Sequence, residues 1–414
     1  MSTSDSSINP RKGTNSNCRG LFGDAEYRSV KHFFRSLADY RPTPLLHLRA
    51  LASRLGIADI LVKDESSRLG LNSFKILGVS YAVRRLLDAG SIEKDSVLVC
   101  SSEGNHGRAV ARVAAENGLV ARIYVARDTS PARIEAIEKD GGQVTVVEGT
   151  YDDATDLAVR DAARYGWKII SDTSWVGYEE IPRLIMAGYT ILFDEIENQL
   201  LPERYPDGVL IQAGVGGLAC AAVSWLCHRF GARHPFTIVC EPAGAACLLE
   251  SVRAGELMSV PGPYTTIMAG LRCGKASPIA WPVISEAVDA FVSIDDAQCV
   301  SAMRALSDPS NDDPVVKAGA AGSCGLAALF AIQRDPNLFS VRHALGLNAR
   351  SRVLVINTEG ATDPELYARI TDTSGTATVN RNAAATIARW TGKTELPEQA
   401  DRSSSDTVKA TTMD

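Results

Sequence analysis

The chain has 414 residues, of which 45% are hydrophobic and 22% are charged, and its formal net charge is −6 at pH 7. This length exceeds what one hydrophobic core usually serves, so we expect two domains. The acidic balance provides no basic surface for nucleic acid, and no apolar run is long enough to span a membrane. The N-terminus lacks the apolar core of a secretory signal. These observations favour a cytoplasmic protein whose partner is a small molecule.

The two ends of the chain are expected to be disordered or flexible, and the cysteines are expected to be reduced. Residues 1–20 are rich in small polar and basic residues, so we expect disorder there. A mitochondrial transit peptide is the alternative, which Asp5 and the scarcity of arginine disfavour. Residues 397–414 are polar and are expected to form a flexible tail. Nine cysteines without C-x-x-C spacing predict reduced, mostly buried thiols and no disulfide framework.

Short apolar runs alternate with helical patterns along most of the chain, as in parallel strands buried on both faces. The proline-containing segment 40–45 is expected to be extended, because each proline disfavours a helical predecessor. The predicted elements that follow are helix 50–56, strand 60–63, helix 76–87, strand 97–100, helix 107–117, strand 121–126, helix 131–139, strand 144–147, helix 152–165 (capped by its leading aspartates) and strand 167–170.

A second series of strands and helices completes the chain. Its predicted elements are strand 209–212, a helix from 217, strand 237–240, helix 243–253, strand 290–294, helices 295–306 and 322–334, and strand 353–356. The pattern predicts an α/β fold with two doubly wound open sheets and a crevice at the carboxyl ends of the strands. We expect a small domain over 85–185 and a large domain built from 21–84 and 186–396.

Lys75 lies between a predicted strand and a predicted helix, within the segment 72–78. A lone lysine is usually a surface residue whose stem covers apolar neighbours. The alternative is a partly desolvated amine with a lowered pKa, ready to form a Schiff base with a carbonyl cofactor. Three further segments, each placed after a predicted strand, favour this second interpretation.

The first of these segments contains glycines 214, 216 and 217 around Val215, where a strand leads into a helix. Backbone N–H groups in such a turn can approach a phosphate, and a helix N-terminus favours negative charge. A purely structural turn is the plain alternative. The spacing does not match the G-x-G-x-x-G pattern of dinucleotide sites.

The remaining candidates are single polar residues that also follow strands. Glu103 and Asp172 are candidates for acid–base catalysis, although either could be a solvated loop carboxylate. Asn105 is either a helix cap or a cofactor ligand, and the neighbouring His106 is given a supporting role. Thr358 either satisfies a local turn or presents its hydroxyl to a ligand.

In this order the four segments resemble the fold-type II pyridoxal-phosphate (PLP) enzymes, the tryptophan-synthase-β-like group, over about residues 41–360. Within that group the closest resemblance is to the diaminopropionate ammonia-lyase branch. The runs that carry it are Asn72-Ser73-Phe74-Lys75, Gly104-Asn105-His106-Gly107-Arg108, Asp172-Thr173-Ser174-Trp175 with Gly177-Tyr178, and Ala269-Gly270-Leu271.

The resemblance implies a PLP site, a homodimer and no metal. Lys75 would bind the cofactor covalently, Gly214, Val215, Gly216 and Gly217 would hold its phosphate, Asn105 would contact its phenolic oxygen, and Thr358 would contact its pyridine nitrogen. A hydroxyl at that nitrogen suits elimination of a β-substituent better than transamination.

The reaction implied is α,β-elimination of ammonia, or another β-leaving group, from an amino acid such as 2,3-diaminopropionate, giving pyruvate and ammonia. Lys75 would remove the α-proton, and Glu103 or Asp172 would protonate the leaving group. Glu103 stands where the branch usually has aspartate, and Ala320 where it has glutamate, so the substrate stays open. Arg272 replaces a small residue; it either pairs with a substrate carboxylate or lies on the surface.

Three alternatives remain open at this stage. A hydroxyamino-acid dehydratase would expel water from serine, threonine or phenylserine. A β-replacement synthase of the cysteine-synthase type would add a second nucleophile. A non-catalytic protein with a PLP-enzyme fold is the third alternative, which the presence of Lys75, Asn105 and the glycine segment disfavours.

Overall fold

The computed structural model describes residues 4–11, 20–309 and 312–372, so the predicted tail 397–414 lies outside the described residues. Apolar and β-branched runs form most of the strands, as expected for buried sheets. In chain order the strands are β1 (Asp5–Ile8), β2 (Leu45–His47), β3 (Asp59–Asp64), β4 (Val97–Ser101), β5 (Val120–Ala126), β6 (Gly142–Val147), β7 (Lys168–Ile169), β8 (Gly208–Gln212), β9 (Phe236–Pro242), β10 (Ala290–Ile294) and β11 (Arg352–Asn357).

Helices connect and cover these strands, and most of them bury one apolar face. In chain order they are α1 (Asp24–Ser36), α2 (Arg49–Leu55), α3 (Lys75–Asp88), α4 (Asn105–Glu116), α5 (Pro131–Lys139), α6 (Tyr151–Tyr165), α7 (Glu180–Tyr189), α8 (Ile191–Gln199), α9 (Gly217–Phe230), α10 (Cys247–Ala254), α11 (Trp281–Ala287), α12 (Asp296–Ser307), α13 (Ala320–Arg334), α14 (Phe339–Ala344) and α15 (Pro364–Thr371).

The strands form a seven-stranded sheet in the order β1-β10-β9-β8-β11-β3-β2 and a four-stranded sheet in the order β6-β5-β4-β7. The four-stranded sheet is parallel throughout. In the larger sheet β1 and β2 are antiparallel edge strands, and the inner strands are parallel. The predicted α/β fold with two open sheets is therefore confirmed.

The two sheets draw their strands from different parts of the chain. The strands of the smaller sheet lie within residues 85–185, and those of the larger sheet lie outside that range. Helices α3, α7 and α9 join both parts in one continuous apolar core. The boundaries at 21–84, 85–185 and 186–396 stay predictions, since strand membership does not fix where one folding unit ends.

Local structure corrects several expectations. Residues 5–8, expected to be disordered, form β1, which pairs antiparallel with β10. The residue that caps α6 is Thr150, whereas the sequence predicted its leading aspartates. Asp153 contributes as the second member of a capping box with Thr150. The single helix expected over 243–253 is a 3₁₀ turn followed by α10. Cys227 is disulfide-bonded, so the expectation of reduced thiols is wrong at that position.

Within the described residues, no helix is both long and apolar enough to cross a bilayer. The same part of the chain contains no group of three or more histidine, cysteine or acidic residues placed to hold a metal ion.

A buried carboxylate under α10 makes stability depend on pH. Glu241 is fully buried, and its two oxygens accept hydrogen bonds of 2.8 Å from the N–H groups of Leu248 and Leu249. Burial outweighs these bonds and raises the pKa of Glu241 from 4.5 to about 8. The folded protein therefore favours protonated Glu241. The contribution of this group to the free energy of unfolding is complete below pH 4.5 and is lost as pH rises through about 8.

We expect the free energy of unfolding of the wild-type protein to fall by roughly 2 kcal/mol between pH 6 and pH 8, relative to Glu241→Gln, which cannot ionise. Chemical denaturation of both proteins across this range measures the difference. Parallel pH profiles for the two proteins would contradict the expectation. The variant is less stable at low pH because an amide leaves one helix N–H without an acceptor.

A second buried group of charges holds the segment that precedes α3. Glu195 contacts Lys63 Nζ at 2.6 Å and Arg68 Nη2 at 2.7 Å, and Arg68 Nε contacts Glu65 at 2.7 Å. These four side chains are at most 2% exposed. Because α8 supplies Glu195 and the β3–α3 connection supplies Glu65 and Arg68, the network fixes this connection against the helix.

Candidate active site

The predicted site segments lie together at the carboxyl ends of strands from both sheets. They line one cavity of about 850 Å³. The residues placed there by the sequence prediction are Lys75, Glu103, Asn105, His106, Asp172, Gly214, Val215, Gly216, Gly217, Arg272, Ala320 and Thr358.

Lys75 is the first residue of α3 and is held by pairing with the loop after β11. Phe74 N–H donates to the carbonyl of Thr358 at 3.1 Å, and Gly360 N–H donates to the carbonyl of Asn72 at 3.0 Å. Asn72 has a φ of +65°, a left-handed conformation that asparagine tolerates better than most residues. This turn directs the chain into α3 and ties the residues just before Lys75 to the loop that carries Thr358.

Lys75 and Asp172 form a close ion pair across the cavity. Lys75 Nζ lies 2.5 Å from Asp172 Oδ2, and the two side chains are only 19% and 21% exposed. Burial alone would lower the pKa of Lys75, but the Asp172 carboxylate raises it. Burial alone would raise the pKa of Asp172, but Lys75 lowers it. The expectation of a lowered lysine pKa is therefore wrong, because the sequence does not reveal its partner.

His106 lies beside this pair as a neutral ring. Its Nε2 is 2.9 Å from the carbonyl oxygen of Ile170, which can only accept, so Nε2 carries the proton. Its Nδ1 is buried without a hydrogen-bond partner and lies 3.9 Å from Asp172 Oδ2. Burial lowers the pKa of His106. Nδ1 is thus an unprotonated acceptor that faces Asp172.

Glu103 lines the same cavity but does not join Lys75 and Asp172. Its Oε1 contacts Arg133 Nη1 at 2.5 Å, and its Oε2 accepts from Thr129 Oγ1 at 3.1 Å. Glu103 is 31% exposed and Arg133 19%. The two acid–base candidates therefore occupy different surroundings: Asp172 touches Lys75, whereas Glu103 is engaged by an arginine and a threonine.

The glycine segment forms an open cradle at the start of α9. Gly216 has a φ of +89°, and a Cβ there would lie 2.9 Å from Ile284 Cδ1. A Cβ on Gly214 would lie 2.9 Å from Cys273 Sγ. No side chain caps α9, and its first residues, Gly217 and Leu218, line the cavity. This arrangement suits a phosphate.

Thr358 and Asn105 are held by residues that sequence reasoning did not select. Gln212 Nε2 lies 3.0 Å from Thr358 Oγ1 and 2.9 Å from the carbonyl oxygens of Ala321 and Ile356, which share its two hydrogens. Because an amide nitrogen cannot accept a hydrogen bond, Gln212 does not take up the hydroxyl hydrogen of Thr358, which remains available to an acceptor in the cavity. Asn105 Nδ2 donates to Glu359 Oε2 at 2.5 Å, while Glu359 Oε1 accepts from Ala321 N–H at 3.1 Å.

Glu359 and Tyr189 are the most informative of the residues that were missed. Glu359 places a buried carboxylate at the start of α13, next to Ala320, where the resemblance leads one to expect glutamate. Burial raises the pKa of Glu359. The Tyr189 hydroxyl is buried without a hydrogen-bond partner in the lining of the same cavity as Lys75, and burial raises its pKa well above the usual value. Apolar helical spacing in α7 gives no signal that one member faces a cavity.

Comparison with known proteins decides the family. Residues 37–359 match the family model described as "Pyridoxal-phosphate dependent enzyme". The chain belongs to the pyridoxal-phosphate dependent enzymes. This PLP-dependent enzyme is 36% identical over 366 residues to diaminopropionate ammonia-lyase of Escherichia coli K12, covering 84% of the present chain and 92% of the relative.

A solved structure and a more distant relative extend the comparison. The crystal structure of E. coli diaminopropionate ammonia lyase in complex with an aminoacrylate-PLP azomethine intermediate matches with a TM-score of 0.83 and 34% identity, covering 91% of this chain and 98% of that chain. Human "Serine dehydratase-like" is 29% identical over 302 residues, covering 70% of this chain and 81% of the relative. The predicted resemblance and the PLP cofactor are thereby confirmed.

The residues of this enzyme fit PLP. A Cβ on Gly214 or on Gly216 would lie 2.9 Å from a neighbouring side chain, so glycine at these positions lets the backbone itself line the cavity, as close approach to a phosphate requires. Lys75 supplies the amine, and the hydroxyl of Thr358 retains a hydrogen for a ring nitrogen. A turn for the phosphate, an amine for the aldehyde and a hydroxyl for the ring nitrogen are the groups that PLP needs in this family. The individual roles of the site residues stay proposals.

Proposed function

We propose that this enzyme catalyses the α,β-elimination of ammonia from a 2,3-diamino acid such as 2,3-diaminopropionate, giving pyruvate and ammonia. The observation that carries the proposal is the 2.5 Å contact between Lys75 and Asp172 in the cavity where the glycine cradle opens. The identity to diaminopropionate ammonia-lyase supports the choice of substrate.

PLP, when bound, supplies an electron sink that stabilises the negative charge left at Cα after proton removal. We assign its phosphate to the N–H groups of residues 214–217, its phenolic oxygen to Asn105 and its ring nitrogen to Thr358. The freed amine of Lys75 takes the proton from Cα. A hydroxyl opposite the ring nitrogen, in place of a carboxylate, suits elimination better than transamination.

Asp172 is proposed to hold the proton that the leaving group needs. Burial raises its pKa, and the Lys75 ammonium is the principal influence that lowers it. Once Lys75 is neutral, burial dominates and Asp172 can take up a proton. Protonation of the β-amine then lets it depart as ammonia.

The Asp172→Asn and Glu103→Gln variants test this assignment, because each removes a carboxylate while keeping its shape. With 2,3-diaminopropionate, kcat/KM of Asp172→Asn is expected to fall by about 10²- to 10⁴-fold, the usual contribution of a general acid or base. Glu103→Gln is expected to retain most of its activity, since Glu103 is already paired. A larger loss in Glu103→Gln would transfer the proton-donor role to Glu103.

A serine- or threonine-type dehydratase is the second candidate, favoured by the relative described as serine dehydratase-like. Holoenzyme assayed for oxo acid and ammonia with 2,3-diaminopropionate, serine, threonine and phenylserine separates the two. We expect the highest kcat/KM for the diamino acid. A higher kcat/KM for any of the hydroxyamino acids would show that the enzyme is a dehydratase, in which water leaves in place of ammonia.

A homodimer and a cytoplasmic location are also proposed. The family resemblance supports the first, and the composition of the chain supports the second.

A further inference from the structure

Arg272 is a cavity-lining cation with a fixed orientation. It follows the short turn Ala269–Leu271, and its Nε and Nη2 both donate to the carbonyl of Thr266, at 2.9 and 2.6 Å. Thr266 is itself held, because its Oγ1 donates to Asp296 at 2.6 Å. Thr266 therefore occupies the edge of the guanidinium formed by Nε and Nη2. The other edge, formed by Nη1 and Nη2, can still bind a carboxylate through two hydrogen bonds.

Within residues 4–11, 20–309 and 312–372, no carboxylate forms an ion pair with Arg272, although the side chain is partly buried. Glu103, Asp296 and Asp128 act on it only from a longer distance. Burial and the nearby guanidinium of Arg133 prevail over these carboxylates and lower the pKa of Arg272. A desolvated cation with an open edge is a binding site for an anion.

A second guanidinium approaches the same place from the smaller sheet. Arg133 lies on α5, lines the cavity and shares its charge with Glu103. Arg272 lies on the wall that belongs to the larger sheet, so the two arginines line the same cavity from opposite sheets, and the charge of Arg133 acts on Arg272. An anion placed between them would contact both parts of the protein.

We propose that Arg272, with Arg133 opposite, binds a carboxylate at the far end of the substrate's β-substituent. The inference rests on the proposed function. The substrate class that follows is a 2,3-diaminopropionate whose 3-amino group carries an acidic substituent, such as carboxymethyl.

In the elimination from such a substrate, atoms and electrons balance with water as the only additional reactant. The Cα–H and Cβ–N bonds break, and the electron pair of Cβ–N leaves with nitrogen. The nitrogen takes a proton and departs as an amino acid, which is glycine for the carboxymethyl compound. The 2-aminoacrylate that remains takes up water and gives pyruvate and ammonia.

Matched substrates test the proposal with holoenzyme. The 3-N-carboxymethyl and 3-N-ethyl derivatives of 2,3-diaminopropionate differ by the terminal carboxylate. We expect wild-type kcat/KM to be at least about ten-fold higher for the carboxymethyl compound, from hydrogen bonds to a charged group. Arg272→Met should remove this preference, mainly through a higher KM, and Arg272→Lys should restore part of it.

Lys275→Met is the matched control, because it removes a positive charge from an exposed position on the same cavity. It should leave the preference unchanged. If Arg272→Met lowers kcat/KM equally for both compounds, Arg272 binds the α-carboxylate or shapes the cavity, and the proposal is wrong. A wild-type enzyme that prefers the ethyl compound contradicts it equally.

A binding experiment separates this proposal from the proposed function. L-2-aminoadipate and L-norleucine match the two substrates in length but have no β-leaving group. Titration calorimetry of the holoenzyme should give at least about ten-fold tighter binding of aminoadipate, abolished in Arg272→Met. This outcome supports the anion site even if no diamino acid is turned over. Equal affinities in the wild type overturn the site even if 2,3-diaminopropionate is a substrate.

Discussion

Replacing Lys75 by alanine is expected to lower kcat/KM for 2,3-diaminopropionate by at least about 10³-fold, at the upper part of the range for loss of a group that transfers protons. The variant loses both the amine that binds the cofactor and the base that removes the α-proton. It also leaves Asp172 without the cation 2.5 Å from it. Steady-state assays of pyruvate and ammonia, with excess PLP, measure the loss.

Two controls separate chemistry from a general loss of structure. Lys275→Ala removes an exposed lysine from the same cavity and should keep near wild-type activity. Added methylamine should restore part of the activity of Lys75→Ala, because a small amine can enter the space left by the side chain. An alanine variant with near wild-type turnover would contradict the role given to Lys75.

Glu195→Ala is expected to lower the free energy of unfolding by about 3–5 kcal/mol. The carboxylate contacts Lys63 at 2.6 Å and Arg68 at 2.7 Å, and both cations are fully buried. Without it, two desolvated cations share Glu65 alone, and burial already lowers the pKa of Lys63 despite its partners. Chemical denaturation of the apoenzyme measures the change without a contribution from cofactor binding.

Glu197→Ala on the same helix is the matched control. Glu197 pairs with Arg229 on the surface, where the side chains are 28% and 52% exposed. Exposed ion pairs contribute about 0–1 kcal/mol, so this variant should be nearly as stable as the wild type. Similar losses in both variants would show that the cost comes from truncating α8 and not from the buried network.

The parallel strands could be predicted from sequence because burial on both faces demands continuous apolar runs, as in Val97–Cys100 and Val353–Ile356. The glycine segment could be predicted for a related reason, since close approach of a backbone to a phosphate excludes side chains. Strand β1 could not, because Asp5–Ile8 is polar and becomes a strand only through pairing with β10 at the sheet edge.

Local sequence patterns do not show which charged residues pair with each other in the folded protein. Lys75 and Asp172 are separated by 97 residues, and Arg68 and Glu195 by 127. Such pairs are set by how the two sheets approach each other. For this reason the sequence indicated a lysine with a lowered pKa, and the structure contains one whose pKa is raised by a carboxylate. The engagement of Glu103 by Arg133 was hidden in the same way.

The most direct test is to reduce the holoenzyme with borohydride and map the modified residue by peptide mass spectrometry. Reduction converts a lysine–PLP Schiff base into a stable secondary amine. We predict that the PLP mass lies on the peptide containing Lys75 and that Lys75→Ala carries no label. Label on a different lysine, or persistence of the label in Lys75→Ala, would contradict the account of this active site.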